Sequence, residues 1–504
     1  MFIKAALLAV FFAVTIFVGL YFRKRNTDVG SFVLGGRTVG PWLTAFAYGT
    51  SYFSAVVFVG YAGQFGWKFG LSSVWIGIGN AMIGSLLAWI VLGKRTRIMT
   101  HHLESATMSE FFGKRYDSKA LKVGASVITF VFLVPYTASL YNGLSRLFAM
   151  AFNIDFTICI IVMAALTCVY VIAGGYIATA VNDFIQGLIM LGGIVAVIAA
   201  ALKVNGGFMG SLDALSRITD EAATSMPGAF ASFFGPDPLS LLGVVLLTSI
   251  GTWGLPQMVH KFYAIKSEKQ ISKGAFISTI FALVVSGGCY MLGSFGRLFI
   301  SGDKVAAEGF DAIIPQMLSG FSPLLIGIVI MLVLSASMST LSALVMTSAS
   351  TFTLDFVKGN IVKKMDGKTQ LRIIRVMIAI FIIISAAIAI VQYNGGISLI
   401  AQLMGVSWGA LAGSFLAPFL YGLYWKGTTK LAVWTSFIFS SVFMILNIFL
   451  RSSFPAILQS PINAGAFTML AGLILVPVVS LLTPKMKKEQ VADMFSVFQA
   501  DKEI

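Results

Sequence analysis

The sequence predicts an all-α polytopic membrane protein of about thirteen spanning helices, and three observations carry that prediction. Of 504 residues, 58% are apolar and 11% charged, against roughly 25% charged in soluble domains, and the mean hydropathy is +0.90. The apolar residues gather in thirteen runs, each long enough to cross a bilayer core, which takes about 20 residues. The cations concentrate in short stretches between alternate runs, where they act as topology signals.

The runs lie near 2–22, 42–66, 71–93, 121–150, 155–173, 183–203, 239–260, 274–296, 322–355, 373–393, 397–424, 431–450 and 462–482. The first has no A-x-A-like cleavage site and reads as a retained helix, not a signal peptide. Fifty glycines suit close helix crossings, since lipid supplies no hydrophobic drive between helices and small residues let backbones approach. Cys159, Cys168 and Cys289 sit inside apolar runs without disulfide or metal spacing.

The net charge of +15 does not point to nucleic acid. Alternate loops carry most of the cations: Arg23, Lys24, Arg25 and Arg37; Lys94, Arg95 and Arg97; Lys261, Lys266, Lys269 and Lys273; Lys358, Lys363, Lys364 and Lys368; Lys426 and Lys430; and Lys485, Lys487 and Lys488. These loops are expected in the cytoplasm. The other loops hold Asp213, Asp220, Glu221, Asp303, Glu308 and Asp311 and are expected outside, which puts the N-terminus outside and the C-terminus in the cytoplasm.

Setting aside the first run and the last two leaves ten, divisible into two sets of five with opposite orientation. That is the plan of inverted-repeat transporters, whose sites lie near the midplane at discontinuous helices. The expected division is residues 1–30 as an extra helix, 31–210 and 211–430 as the two repeats, and 431–504 as two further helices and a tail. The first run of each set is interrupted, by Gly49-Thr50-Ser51 and by Gly251-Thr252-Trp253-Gly254-Leu255-Pro256. Such interruptions free backbone groups for ions or solute, although glycine and proline are also common in membrane helices generally.

The run 322–355 carries Ser335-Ala336-Ser337-Met338-Ser339-Thr340-Leu341-Ser342, with Ser335, Ser339 and Ser342 on one face at i, i+4 and i+7. A hard cation wants several oxygens at once, and neighbouring hydroxyls with carbonyls of a broken helix supply them. The alternative is that each hydroxyl bonds the carbonyl four residues back. Asp183 is the acid nearest the membrane interior; it either attracts cations or places a negative charge at a helix N-terminus. His101, His102 and His260 have no ligand-like spacing, and no G-x-x-x-x-G-K-[ST] phosphate loop occurs.

Four segments together resemble the sodium:solute symporter family, which includes proline, pantothenate and monocarboxylate carriers of bacteria and the animal sodium–glucose carriers. They are Phe32-Val33-Leu34-Gly35-Gly36-Arg37 with Gly40-Pro41-Trp42; Thr107-Met108-Ser109-Glu110-Phe111-Phe112 with Arg115-Tyr116; Gly174-Gly175-Tyr176 through Asp183 and Gln186; and Met338-Ser339-Thr340-Leu341-Ser342. The resemblance runs from about residue 30 to about 430. It implies a leucine-transporter-like core of two inverted five-helix repeats, alternating access and sodium as the coupled ion. Carried over by position, it implies a sodium site of the Thr50, Phe53 and Ala336 carbonyls with the Ser339 and Thr340 hydroxyls. Asp183 matches an acid of the inner sodium pathway, and Tyr136 an aromatic near the solute.

One departure bears on the solute. Where proline carriers have an aspartate, this chain has Tyr52, followed at one remove by Ser54, which is closer to the pantothenate carriers; Thr248 and Thr252 stand where proline carriers place an aromatic pair. The candidate solute contacts are Tyr52, Ser54, Tyr136, Asn142, Thr252, Trp253, Gln257 and Gln402, all neutral. A small carboxylate or amino acid suits them, with helix N-termini meeting the carboxylate, and a sugar or polyol is the alternative. Two rival functions are a transporter-like sensor, for which the stretch after Leu482 is short, and a sodium-independent facilitator, against which the Ser339/Thr340 pair argues. Nothing in the residues specifies an oligomeric state.

Overall fold

A computed structural model describes residues 2–22, 28–204, 206–220, 224–394 and 400–498, and the expected loop residues Arg23, Lys24, Arg25 and Glu221 lie outside the described residues. Among the described residues, nine helices are long and apolar enough to cross a membrane. A bent pair, Pro238–Gly254 with Pro256–Ala264, turns by 45° and raises the number to ten if taken as one span. Among the described residues the expected runs are helical, some fused and some broken. Phe156–Val204, with 49 residues, is about 74 Å long at 1.5 Å per residue, over twice a hydrocarbon core of about 30 Å. It holds both 155–173 and 183–203, divided at Gly175, where φ 60° and ψ −172° leave the helical region. Only glycine enters that conformation without a Cβ penalty.

The run 42–66 is broken. Pro41–Tyr52 starts with proline at its first turn, where the missing N–H costs nothing, and ends at Phe53 in extended backbone (φ −106°, ψ 103°). The chain resumes as Val56–Tyr61 in π-helical form and Ala62–Phe69. The run 239–260 breaks likewise: Pro238–Ile250 passes through the 3₁₀ turn Gly251–Gly254 to extended Leu255 before Pro256–Ala264.

Pro323–Thr351, the helix of hydroxyls, is buried from Val329 almost to its end. It packs against Pro41–Tyr52, Lys119–Phe152, Phe156–Val204 and Gly367–Asn394. Ala62–Phe69 and Ile271–Ser294 meet backbone to backbone, so that a Cβ on Gly66 would stand 2.0 Å from the Gly293 carbonyl oxygen. In lipid such contact surface is the main source of helix association.

Two polar anchors lie at opposite ends of the helices. Arg37 donates to the carbonyls of Tyr263 (3.2 Å), Thr100 (3.3 Å) and Ser105 (2.6 Å), while Val39 N donates to Ala264 O and Lys266 N to Val39 O. The segment entering the first broken helix is thereby tied to the segment leaving the second. Burial and the neighbouring Arg97 push the Arg37 guanidinium below its ordinary pKa, an effect that Tyr263 and Glu110 oppose. At the other end Asp311 is a buried acid, not a solvated loop acid: its Oδ2 accepts from Ile400 N at 3.2 Å and lies 4.0 Å from Arg146 Nε. Burial pushes its carboxyl up to about 6.

The Gly66 contact yields a stability prediction. Gly66→Ala forces a Cβ into backbone and should cost about 1–3 kcal/mol, as overpacking does, lowering Tm in detergent by several degrees. Gly192→Ala, where a Cβ meets nothing within 4 Å, should leave Tm unchanged or raised.

Candidate functional site

The break at Phe53 leaves carbonyls of Pro41–Tyr52 outside the helical ladder, as every helix C-terminus does. Two hydroxyls of Pro323–Thr351 converge on one of them: Ser339 Oγ lies 3.1 Å and Thr340 Oγ1 3.0 Å from the Thr50 carbonyl oxygen. Both also reach back along their own helix, Ser339 to the Ser335 and Ala336 carbonyls at 2.9 and 3.2 Å and Thr340 to the Ala336 carbonyl at 3.0 Å. The within-helix and between-helix readings of these hydroxyls therefore hold at once. By contrast, Ser337 bonds only the Val333 carbonyl among the described residues, at 2.7 Å.

The electrostatics of this cluster are one-sided. Two hydroxyl protons face the carbonyls of Thr50, Ser335 and Ala336, and all the oxygens are buried. Oxygens about 2.4 Å from a hard cation stand roughly 3 Å apart when they subtend about 80°, the spacing seen here. A cation relieves the crowding of lone pairs better than two protons do. Thr50, Ala336, Ser339 and Thr340 thus come together, with Phe53 fully buried at the break beside them.

Aromatic rings adjoin the break. Tyr52 stacks on Phe53 with centroids 4.2 Å apart and lies 6.1 Å from Trp408, whose indole meets Tyr136 edge-on at 5.9 Å. The Tyr136 hydroxyl and Trp408 Nε1 are buried with no hydrogen bond of normal geometry among the described residues, although Ser54 and Trp408 lie beside the Tyr136 hydroxyl. Ser54 Oγ accepts from Val56 N at 3.2 Å. Gln257, in the first turn after the second break, has both amide atoms buried without a partner among the described residues.

Other candidate solute residues are already engaged. Tyr52 OH donates to the Thr248 carbonyl at 2.5 Å, joining the two broken helices. Asn80–Leu87 is π-helical, and its carbonyls accept from outside: Gly84 from Tyr48 (2.7 Å) and Thr252 (3.2 Å), Ile83 from Trp253 Nε1 (3.1 Å). Thr252 and Trp253 brace the second break through these bonds. Asn142 donates to Gln392 at 2.7 Å, and Gln402 accepts from Arg451 at 3.3 Å in an exposed contact. No contact places Gln402 with the aromatic group among the described residues.

A model of the sodium:solute symporter family matches residues 32–439. The chain belongs to that family. Relatives named sodium/proline symporter from Staphylococcus aureus strains JH9 and Mu3 / ATCC 700698 are 31% identical over 437 residues, 84% of this chain and 81% of theirs. Among solved structures, a Na+-coupled sialic acid symporter in a substrate-bound outward-open state matches with TM-score 0.76 and 17% identity, over 97% of this chain and 99% of that one. Mhp1, a nucleobase-cation-symport-1 family transporter, matches with TM-score 0.50 and 14% identity, over 92% and 97%. The fold is the leucine-transporter-like one. The protein is a multi-pass membrane transporter that couples sodium to symport of a small solute, not an enzyme.

Sequence reasoning missed the partner of Asp183 in this symporter. Lys261, read as a loop cation, lies inside Pro256–Ala264 because that helix runs on past the second break, and it is buried with Nζ 3.9 Å from Asp183 Oδ2. Lys261 also sits over the Tyr176 ring at 5.4 Å. Asp183 is two turns into the arm that follows Gly175, so its charge is not at a helix N-terminus. The signal available was a lysine inside the apolar and aromatic stretch Met258-Val259-His260-Lys261-Phe262-Tyr263. Gln186, one turn beyond Asp183, is buried with both amide atoms unpartnered among the described residues.

Removing one member of a buried ion pair typically costs about 3–5 kcal/mol, whereas removing both is far milder. Asp183→Asn alone should lower Tm and slow sodium-driven uptake, and Asp183→Asn with Lys261→Gln should recover most of the Tm. Additive losses in this double-mutant cycle would mean the two side chains are not coupled.

Proposed function

We propose that sodium is held by the carbonyls of Thr50, Phe53 and Ala336 and by the hydroxyls of Ser339 and Thr340, and that the solute is a small carboxylate or amino acid bound beside it. The convergence of two hydroxyls on the Thr50 carbonyl supports the ion site. The solute reading rests on the buried Tyr136 hydroxyl, with Ser54 and Trp408 beside it at the end of the ring series Phe53–Tyr52–Trp408–Tyr136, and on the Gln257 amide, which has no partner among the described residues. Both are neutral, so a carboxylate would be met by dipoles and donors instead of a full charge. Tyr52 and Ser54 would complete this wall, and Asn142, Thr252, Trp253, Gln257 and Gln402 would be its further solute contacts. The sialic acid carried by one structural relative and the proline of the sequence relatives both bear a carboxylate.

Asp183 would then serve the inner end of the sodium path, its carboxylate shared between the passing ion and Lys261. Residues 31–210 and 211–430 would be the inverted repeats, each opening with a broken helix, with 1–30 and 431–504 outside the core. The N-terminus would be outside and the C-terminus in the cytoplasm of the cell membrane.

In proteoliposomes, solute should accumulate only under an inward sodium gradient. Ser339→Ala with Thr340→Ala should raise the sodium concentration for half-maximal uptake about tenfold or more, each tenfold being 1.4 kcal/mol; an unchanged sodium dependence would remove both hydroxyls from the site. A thermal-shift screen of small carboxylates, amino acids and polyols should find carboxylate ligands that raise Tm in sodium but not in potassium, since a ligand of the folded state stabilises by mass action. Stabilisation by polyols alone would reverse the solute assignment.

A further inference from the structure

Arg375 lies within a membrane-spanning helix and pairs with no acid among the described residues. It belongs to Gly367–Asn394, and no carboxylate stands within ion-pair distance of it among the described residues. Its Nε has no hydrogen-bond partner among the described residues, and its guanidinium lies 5.7 Å from the Phe32 ring centroid. An unpaired charge within a spanning helix is costly and marks a functional position by default. Eight residues separate Gly367 from Arg375, about 12 Å of helix, so the guanidinium sits near one edge of the hydrocarbon, within reach of the headgroup layer.

Beside it is an apolar crevice of about 350 Å³, lined by Cys168, Val169, Ile172, Ala173 and Arg375. It opens toward the membrane, since Val169 is 58% exposed. Its wall is apolar except for the one cation at its end. Lys368 and Arg372 precede Arg375 at i, i+4 and i+7, a basic stripe rising from the helix end. A ligand complementary to this shape carries a hydrocarbon chain and a phosphate anion, and guanidinium binds phosphate in bidentate geometry.

We propose that Arg375 and this crevice form a seat for an anionic phospholipid, its phosphate on the guanidinium and an acyl chain along Cys168, Val169, Ile172 and Ala173. The seat abuts the turn that ends at the Gly175 break. Tyr170, from that turn, donates to the Met338 carbonyl at 2.5 Å, one residue before Ser339. A lipid here braces the arm that supports the hydroxyl helix.

Native mass spectrometry of the full chain from equal parts phosphatidylglycerol and phosphatidylcholine tests the proposal. The wild-type protein should retain phosphatidylglycerol over phosphatidylcholine, and Arg375→Gln should lower that ratio about fivefold or more, while Arg375→Lys keeps most of it. Val169→Trp, which fills the crevice and leaves the cation, should lower the ratio as well, whereas Lys368→Gln at the surface should change it less than about twofold. An unchanged ratio in Arg375→Gln overturns the seat, and so does an equal loss in Lys368→Gln, which would mark a general surface-charge effect. If Arg375→Gln does not fold, an unchanged ratio in Val169→Trp overturns it.

Discussion

Peptide groups in the interior of a bilayer have no water to turn to, so a spanning helix that breaks must find partners for its freed carbonyls inside the protein. The break at Phe53 exposes the Thr50 carbonyl, and Ser339 and Thr340 are placed to meet it. This constraint shapes the surroundings. The hydroxyl helix has to run beside the break, buried almost throughout, and its neighbours have to approach closely, as the backbone contact at Gly66 and Gly293 shows. A cluster that meets freed carbonyls with too few protons has, for the same reason, the chemistry that the proposed sodium site requires.

The two broken helices are also held to each other. Tyr52 from the first reaches the Thr248 carbonyl of the second, and Tyr48 and Thr252, one from each, share the Gly84 carbonyl of a π-helical segment. π-Helical turns widen the ladder and recur at functional positions. At one end of the bundle Arg37 gathers three carbonyls, and at the other Asp311 holds the start of Ile400–Tyr424. Such contacts are few and polar at both ends, while the middle is packed.

Much of this was legible in the residues. The spans stood out because crossing a hydrocarbon core demands long apolar runs, and the breaks because glycine and proline interrupt them. The hydroxyl cluster was visible, but its reading was not decidable locally, since the within-helix bonds of Ser339 and Thr340 are present alongside those to Thr50. Lys261 was misread because a run of lysines on its C-terminal side marked a loop, while the helix after the second break continues to Ala264. Thr252 and Trp253 are candidate pocket residues on the sequence; that their polar atoms also brace the Gly84 and Ile83 carbonyls is something periodicity gives no means of foreseeing.

By itself the sequence determined the class of protein, the approximate spans, the two interruptions and the oxygen-rich stretch at 335–342, because each follows from composition and spacing along one chain in a medium that tolerates few alternatives. Tertiary structure alone decided which oxygens meet, that Asp183 faces Lys261 and not water, that the Gln257 amide has no partner among the described residues, and that Arg375 ends an apolar crevice. These depend on helices hundreds of residues apart being brought within about 3–4 Å, where hydrogen bonds and close charges act, and no local pattern encodes that approach.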